Sequence, residues 1–127
     1  MAGRARSGRV VLASLAILVC GLSLLGQAPP ASGKDLFDRR CGGCHAVDRD
    51  KEGPRLGGVY GRVAGSVESF QYSDALKASK ITWNEELLDK WLIDPERLVP
   101  NNDMTFHLER ADERRVIITY LKSLSGA

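Results

Sequence analysis

The chain has 127 residues, with 18 Lys and Arg against 16 Asp and Glu and a formal net charge of +2 at pH 7. Three of the basic residues lie within the first nine, so the rest of the chain carries 15 basic and 16 acidic residues. This balance disfavours a nucleic-acid-binding protein, which typically has a concentrated basic face. The length suits one small domain that follows a targeting segment.

The N-terminal segment has the pattern of a secretory signal. Three arginines precede an apolar run from Val10 to about Leu25, and a stretch rich in small residues and proline follows at 27–33. The apolar run is shorter than the roughly 20 residues that cross a bilayer comfortably. We therefore expect residues 1–32 to be a cleaved signal peptide and 33–127 to be the exported domain, which predicts a periplasmic location. An uncleaved membrane anchor is the alternative.

Capping patterns and breakers predict the elements of the first half. A helix is expected from about Lys34 to Cys41, because Ser32 and Asp35 resemble a capping box. Residues 48–65 contain five glycines and a proline, which predicts an extended loop wrapped on a rigid object. A short helix is expected at 73–78.

The second half contains the stronger helical patterns. The sequence Thr82–Glu85 resembles a capping box, and an apolar stripe behind it ends before Pro95, which can open another short turn. The last helix is expected to start at Asp112 as N-cap and to end before Gly126. No segment alternates as a strand, so the predicted fold class is all-α.

The motif Cys41-Gly42-Gly43-Cys44-His45 is the C-x-x-C-H pattern of c-type haem attachment. Two thiols one helical turn apart can bond the haem covalently, and the adjacent imidazole can bind the iron. A redox dithiol or half of a zinc site is the alternative. Only Cys20 and His107 remain as further Cys or His residues, which is too few for structural zinc, and no βαβ pattern surrounds the motif.

A haem iron with one imidazole takes a second protein ligand for electron transfer or keeps an open site for gas or peroxide chemistry. After the signal segment the chain has one methionine, Met104, and one further histidine, His107. Met104 lies in a segment with proline and polar residues that is predicted to be a loop, which favours an iron ligand over core packing. His107 is the substitute candidate.

From Gly33 to about Ser123 the chain resembles class I cytochromes c, the mitochondrial-type cytochromes c and their bacterial relatives. The resemblance implies a small all-α fold with N- and C-terminal helices crossing, and short helices and loops wrapped around one covalent haem c. It rests on several motifs of this sequence: Cys41, Cys44 and His45; Gly53-Pro54; Gly61-Arg62; Phe70-x-Tyr72; Ile81-Thr82-Trp83; Pro100-x-x-x-Met104-x-Phe106; and Gly33 and Phe37, expected to face Ile117, Tyr120 and Leu121.

The resemblance also implies roles for individual residues. His45 and Met104 would be the axial iron ligands, and Cys41 and Cys44 the covalent attachment. The Pro54 carbonyl would accept a hydrogen bond from the His45 ring. The remaining haem-pocket residues would be Arg62, Tyr72 and Trp83 at the propionates, and Trp91, Asn102 and Phe106 near the methionine. The chain departs from the family pattern at Leu76, Trp91 and Asn102, where the family usually has asparagine, tyrosine and threonine.

These features predict a periplasmic one-electron carrier, not an enzyme. The alternative is a haem enzyme or gas-binding sensor with an open distal site. The expected partners are redox proteins such as a quinol–cytochrome c oxidoreductase, a terminal oxidase, a reaction centre or a periplasmic dehydrogenase. We expect a monomer that binds no nucleic acid and meets a membrane only through its partners or an uncleaved N-terminus.

Overall fold

The computed structural model describes residues 31–126, together with Met1 and Gly3. Within these residues the regular structure is five helices and no strand, so the all-α expectation is confirmed. The helices are α1 (Gly33–Arg40), α2 (Asp74–Ala78), α3 (Glu85–Ile93), α4 (Pro95–Leu98) and α5 (Ala111–Ser123). None of the described helices is long and apolar enough to cross a membrane. The predicted signal peptide lies almost wholly outside the described residues.

Helix α1 begins as its capping pattern predicts. Ser32 is the N-cap, its side chain accepts the backbone N–H of Asp35, and the Asp35 carboxylate accepts the N–H of Ser32 in return. Two N–H groups that have no partner within the helix are therefore satisfied. Pro95 likewise opens α4 as predicted, with Asp94 as its N-cap.

Two predicted helix starts are wrong, because the proposed caps are used elsewhere. Thr82 forms an isolated antiparallel bridge with Val63, so its backbone is extended and α3 starts after Asn84, whose side chain accepts the N–H of Leu87. Helix α5 has no side-chain cap and starts at Ala111. The Asp112 carboxylate instead accepts two hydrogen bonds from the Arg110 guanidinium, at 3.1 and 2.5 Å.

The first and last helices pack directly against each other, as predicted. A Cβ added at Gly33 would lie 2.6 Å from the Cβ of Tyr120, so only glycine permits this approach. The Phe37 and Tyr120 rings lie 5.6 Å apart between centroids, and Ile117 is completely buried. An ion pair between the Arg40 guanidinium and the Glu113 carboxylate, with two contacts of 2.9 Å, closes one end of this interface.

The long segment between α1 and α2 contains no helix, as expected, and contributes Val59 and Ala64 to the core. Backbone hydrogen bonds attach it to the segment before α3, from Gly61 N to Trp83 O at 2.7 Å and from Ala64 N to Ile81 O at 2.7 Å. This pairing fixes the loop against the segment that carries the buried Trp83.

Arg114 is a buried cation that joins three parts of the fold. Its guanidinium donates to the Asp89 carboxylate of α3 at 2.7 Å and to the carbonyl oxygens of Leu108 and Glu109 at 2.9 and 2.7 Å. The backbone N–H of Leu108 in turn donates to Leu92 O at 2.8 Å. The segment that carries Met104 is thereby fixed to α3 and α5 at its C-terminal end.

Candidate cofactor site

A cavity of about 370 Å³ lies between the loop that follows α1, helix α3 and the segment 102–106. Its volume falls within the roughly 300–1,000 Å³ usual for small-molecule and cofactor sites. The structure brings to this cavity every residue that the family resemblance implies for the haem site. The lining includes Cys41, Cys44, His45, Pro54, Arg62, Tyr72, Trp83, Trp91, Asn102, Met104 and Phe106.

The two cysteines of the motif are free thiols in different surroundings. Cys41 is buried and Cys44 is exposed at the cavity. Burial, with a smaller contribution from the nearby Cys44, raises the pKa of the Cys41 thiol to about 11. A redox dithiol depends on a thiol whose pKa is lowered, so this environment disfavours that alternative.

The backbone of the next loop sets the orientation of the His45 ring. Nδ1–H donates to the carbonyl oxygen of Pro54 at 2.8 Å, which leaves the Nε2 lone pair available. Burial lowers the pKa of His45 and favours the neutral ring, which is the form that binds metals. A Cβ added at Gly53 would lie 2.7 Å from Nδ1 and 2.8 Å from Nε2, so glycine is required beside the ring.

A half-buried guanidinium lies at another part of the cavity wall. Arg62 donates to the carbonyl oxygens of Gly57 at 3.0 Å and Arg55 at 2.9 Å, and no carboxylate among residues 31–126 lies within ion-pair distance of it. Burial lowers its pKa, since desolvation disfavours the cation. Tyr72 and Trp83 line the same cavity. These groups suit a ligand that brings its own carboxylates.

Met104 reaches the cavity from an irregular segment, as predicted. Its sulfur accepts a hydrogen bond from the indole Nε1–H of Trp91 at 3.0 Å. Its backbone N–H donates to the side-chain oxygen of Asn102 at 2.7 Å. The thioether is therefore held from two sides, by α3 and by its own loop.

His107 does not line the cavity. Its Nδ1–H donates to the carbonyl oxygen of Ile93 at the end of α3, at 3.1 Å, and the side chain is exposed. The structure therefore places His107, the substitute ligand candidate, outside the site, although the preceding residue, Phe106, lines the cavity. Met104 is the better-placed ligand candidate.

These residues fit a covalently attached haem: two thiols, a neutral imidazole and a thioether line a largely apolar cavity, with a guanidinium that pairs with no carboxylate of residues 31–126 available for propionates. The family model for cytochrome c matches residues 30–125. The chain belongs to the class I cytochrome c family.

Solved and curated proteins agree with this assignment. Cytochrome cH from Methylobacterium extorquens has 38% sequence identity and a TM-score of 0.68, covering 72% of this chain and 94% of its own. Cytochrome c of Chlamydomonas reinhardtii is 38% identical over 83% of this chain and all of its own length. Cytochrome c2 iso-2 of Magnetospirillum molischianum is 44% identical over 66% of this chain and 90% of its own length.

Membership of the family determines the cofactor and the kind of activity. Cytochromes c bind one covalent haem c, and Cys41 and Cys44 supply the family's attachment motif. Members of the family are single-haem electron carriers that act with redox partners, and they are not enzymes. The alternative of a haem enzyme or gas sensor is therefore disfavoured.

Sequence reasoning missed two features of the site. The first is the contact between Gly53 and the His45 ring, which depends on the path of the loop in the folded chain. In the sequence, a glycine before a proline indicates only a turn. The second feature is the carboxylate of Glu96, which accepts the backbone N–H of Asn101 in the loop that carries Met104. A glutamate five residues before an asparagine matches no recognised sequence motif, so the sequence alone does not indicate this contact.

Proposed function

We propose that this cytochrome is an exported one-electron carrier whose haem iron is held by His45 and Met104. The observation that carries this proposal is the pair of oriented ligands at one cavity: a half-buried imidazole hydrogen-bonded to Pro54, and a thioether that accepts a hydrogen bond from Trp91. A histidine and methionine pair keeps iron six-coordinate in both oxidation states and raises its reduction potential.

The protein's part in the reaction is to position the cofactor and keep its surroundings unchanged. When bound, the haem supplies the one-electron redox couple. Cys41 and Cys44 would hold it covalently, and the Pro54 carbonyl keeps the His45 Nδ1–H engaged, which leaves Nε2 available to bind the iron. Arg62, Tyr72 and Trp83 are proposed to pair with or donate to the propionates, since a buried carboxylate needs such partners. Asn102 and Phe106 complete the surroundings of Met104.

The test is carbon monoxide binding to the reduced, haem-loaded protein. A carrier with Met104 on the iron should bind carbon monoxide slowly or not at all, and Met104→Ala should bind it rapidly. Because Cys41 and Cys44 hold the haem independently, the variant should stay haem-loaded, with a five-coordinate iron. Rapid binding by the unchanged protein would contradict the carrier proposal and favour an open distal site.

The proposed location is the periplasm, with residues 1–32 removed as a signal peptide. The basic and apolar N-terminal pattern supports this proposal, and the expected domain begins near the start of the family match at residue 30. Mass spectrometry of the protein from a periplasmic extract should give a chain that begins near residue 33. A full-length mass in the membrane fraction would instead support the uncleaved anchor.

The proposed partners are membrane or periplasmic redox complexes, such as a quinol–cytochrome c oxidoreductase, a terminal oxidase, a reaction centre or a dehydrogenase. The charged residues that line the cavity are of both signs: Arg40, which pairs with Glu113, together with Arg62, Glu52 and Asp103. Such a face gives weak long-range attraction. The association rate with a partner should therefore fall by less than about tenfold between low and physiological salt. A drop of two decades would contradict this.

A further inference from the structure

The carboxylate of Glu96, in the first turn of α4, closes the turn that leads to Met104. Its two oxygens lie 3.0 and 3.1 Å from the backbone N–H of Asn101 and accept it jointly. One of them also lies 3.4 Å from the side-chain nitrogen of Asn102. Hydrogen bonds to an ionised acceptor are stronger than those between neutral groups.

Asn102 carries this contact forward to the methionine. Its side-chain nitrogen donates to the carbonyl oxygen of Val99 at 2.9 Å, and its side-chain oxygen accepts the backbone N–H of Met104 at 2.7 Å. Both ends of the amide are therefore engaged, so its orientation is fixed. Glu96, Asn102 and Met104 form one continuous path of hydrogen bonds.

The turn at Asn101, which this path of hydrogen bonds crosses, has an energetically unfavourable backbone conformation. Asn101 has a φ of +65°, in the left-handed region that non-glycine residues rarely adopt, although asparagine is among the more tolerant. Its backbone N–H has the Glu96 carboxylate as its hydrogen-bond partner. The Glu96 carboxylate thus stabilises this backbone conformation of Asn101. Without the carboxylate, the loop should leave that conformation more easily.

We propose that Glu96 is a positioning residue for Met104: its carboxylate fixes Asn101 and Asn102, and Asn102 fixes the backbone from which the thioether reaches the iron. This inference rests on the proposed assignment of Met104 as the axial ligand. Without the carboxylate, the loop should open more often and the sulfur should leave the iron more readily. The effect reaches the iron through Asn102, since Glu96 itself does not line the cavity.

The sequence of this loop makes the effect easy to observe. No lysine occurs from Pro95 to Met104, and the guanidinium of Arg97 stays protonated and cannot bind iron. An amine from the loop itself therefore cannot replace the departing sulfur. The remaining competing ligands, such as His107, are the same in every variant, so differences in the pH at which the methionine bond is lost report how firmly the loop holds Met104.

Three variants of the haem-loaded protein test the proposal. Glu96→Ala removes the acceptor, Glu96→Gln keeps a neutral oxygen that can accept the Asn101 N–H, and Glu85→Ala is the matched control. Glu85 is also an exposed glutamate in the first turn of a helix, but it makes no side-chain hydrogen bond or ion pair within residues 31–126. The readouts are amide hydrogen exchange at Asn101 and Met104 in the reduced protein and the alkaline midpoint of methionine loss in the oxidised protein.

Glu96→Ala should accelerate exchange at both amides by about three- to tenfold and lower the alkaline midpoint by roughly half to one pH unit, as loss of an exposed charge-assisted hydrogen bond implies. Glu96→Gln should recover more than half of both effects, and Glu85→Ala should change neither. Unchanged exchange in Glu96→Ala, or an equal effect of Glu85→Ala, would overturn the inference. Absence of methionine ligation in the unchanged protein would overturn the Met104 assignment instead, while exchange still decides the role of Glu96.

Discussion

The indole Nε1–H of Trp91 donates to the sulfur of Met104 at 3.0 Å. An indole N–H is a donor only, so this contact has one possible direction. The Trp91 ring is buried and meets the edge of Trp83 at 5.3 Å between centroids, with 62° between the ring planes. The indole N–H of Trp91 is therefore held in a fixed position, and one lone pair of the Met104 sulfur accepts its hydrogen bond.

Replacing the donor should change the reduction potential. Trp91→Phe keeps an aromatic ring but removes the N–H, so more sulfur electron density becomes available to oxidised iron, and the potential should fall. A hydrogen bond worth about 0.5–1.5 kcal/mol corresponds to roughly 20–60 mV for one electron. Protein-film voltammetry measures this shift.

Trp91→Tyr is the matched control, because a phenolic O–H can also donate to the sulfur. Its potential should lie closer to that of the unchanged protein than the potential of the phenylalanine variant does. Equal shifts in the two variants would show that ring size, not the donated hydrogen bond, sets the potential.

A methyl group at Gly53 should disturb the proximal histidine. The added Cβ of Gly53→Ala would overlap the His45 ring, at 2.7 Å from Nδ1, so the ring must tilt away from the Pro54 carbonyl. We expect a lower yield of haem-loaded protein and a lower melting temperature. Gly43→Ala is the control, since no atom lies within 4 Å of its added Cβ. Similar losses in both variants would contradict the specific contact.

Local signals in the sequence predicted most of the helices but not all of their starts. The Ser32 and Asp35 pair starts α1 because nothing else competes for either side chain. Thr82 fails as a cap because its backbone pairs with Val63, about twenty residues away. No alternation in the sequence marks that pairing, and it is decided by how the loop folds over Trp83.

The candidate site was more predictable than the framework that holds it. Haem chemistry demands particular side chains, so Cys41, Cys44, His45 and Met104 stand out in the sequence. Arg114 gives no such signal, because an arginine in a charged helix is usually solvated. Its burial depends on carbonyl oxygens of Leu108 and Glu109 that only the folded chain places beside it.

Loss of the Arg114 guanidinium should destabilise the protein strongly. Its side chain is 9% exposed and pairs with Asp89, and two backbone carbonyl oxygens depend on it. Arg114→Ala should lower the free energy of unfolding by roughly 1–3 kcal/mol, because two carbonyl oxygens lose their donor while the partly exposed Asp89 carboxylate can still be hydrated. Denaturant unfolding measures this change. Arg115→Ala, at the neighbouring exposed position, is the control, and a similar loss there would contradict the account.

Acid should weaken the contact between the first and last helices. The Arg40 guanidinium hydrogen-bonds the Glu113 carboxylate and lowers its pKa below the usual value. The stability from this pair is therefore present above the ordinary glutamate pKa of about 4.3 and is lost as the pH falls through the lower folded value.

Glu113→Gln should remove that part of the acid sensitivity. Thermal melts between about pH 5 and pH 3 should show a shallower fall in melting temperature for this variant than for the unchanged protein. Glu109→Gln removes an exposed carboxylate that makes no ion pair within residues 31–126 and should leave the slope unchanged. An unaltered slope in Glu113→Gln would show that other carboxylates dominate.

The central claim, that the Met104 sulfur binds the iron, is tested most directly by the methionine methyl resonance of the reduced protein. The chain contains only Met1 and Met104, so labelling the methionine methyl groups gives one signal from the folded domain. If the sulfur lies on the iron, the haem ring current should shift that methyl signal far upfield, and Met104→Ala should abolish it. A methyl signal at the position of an ordinary solvated or core methionine would contradict the account.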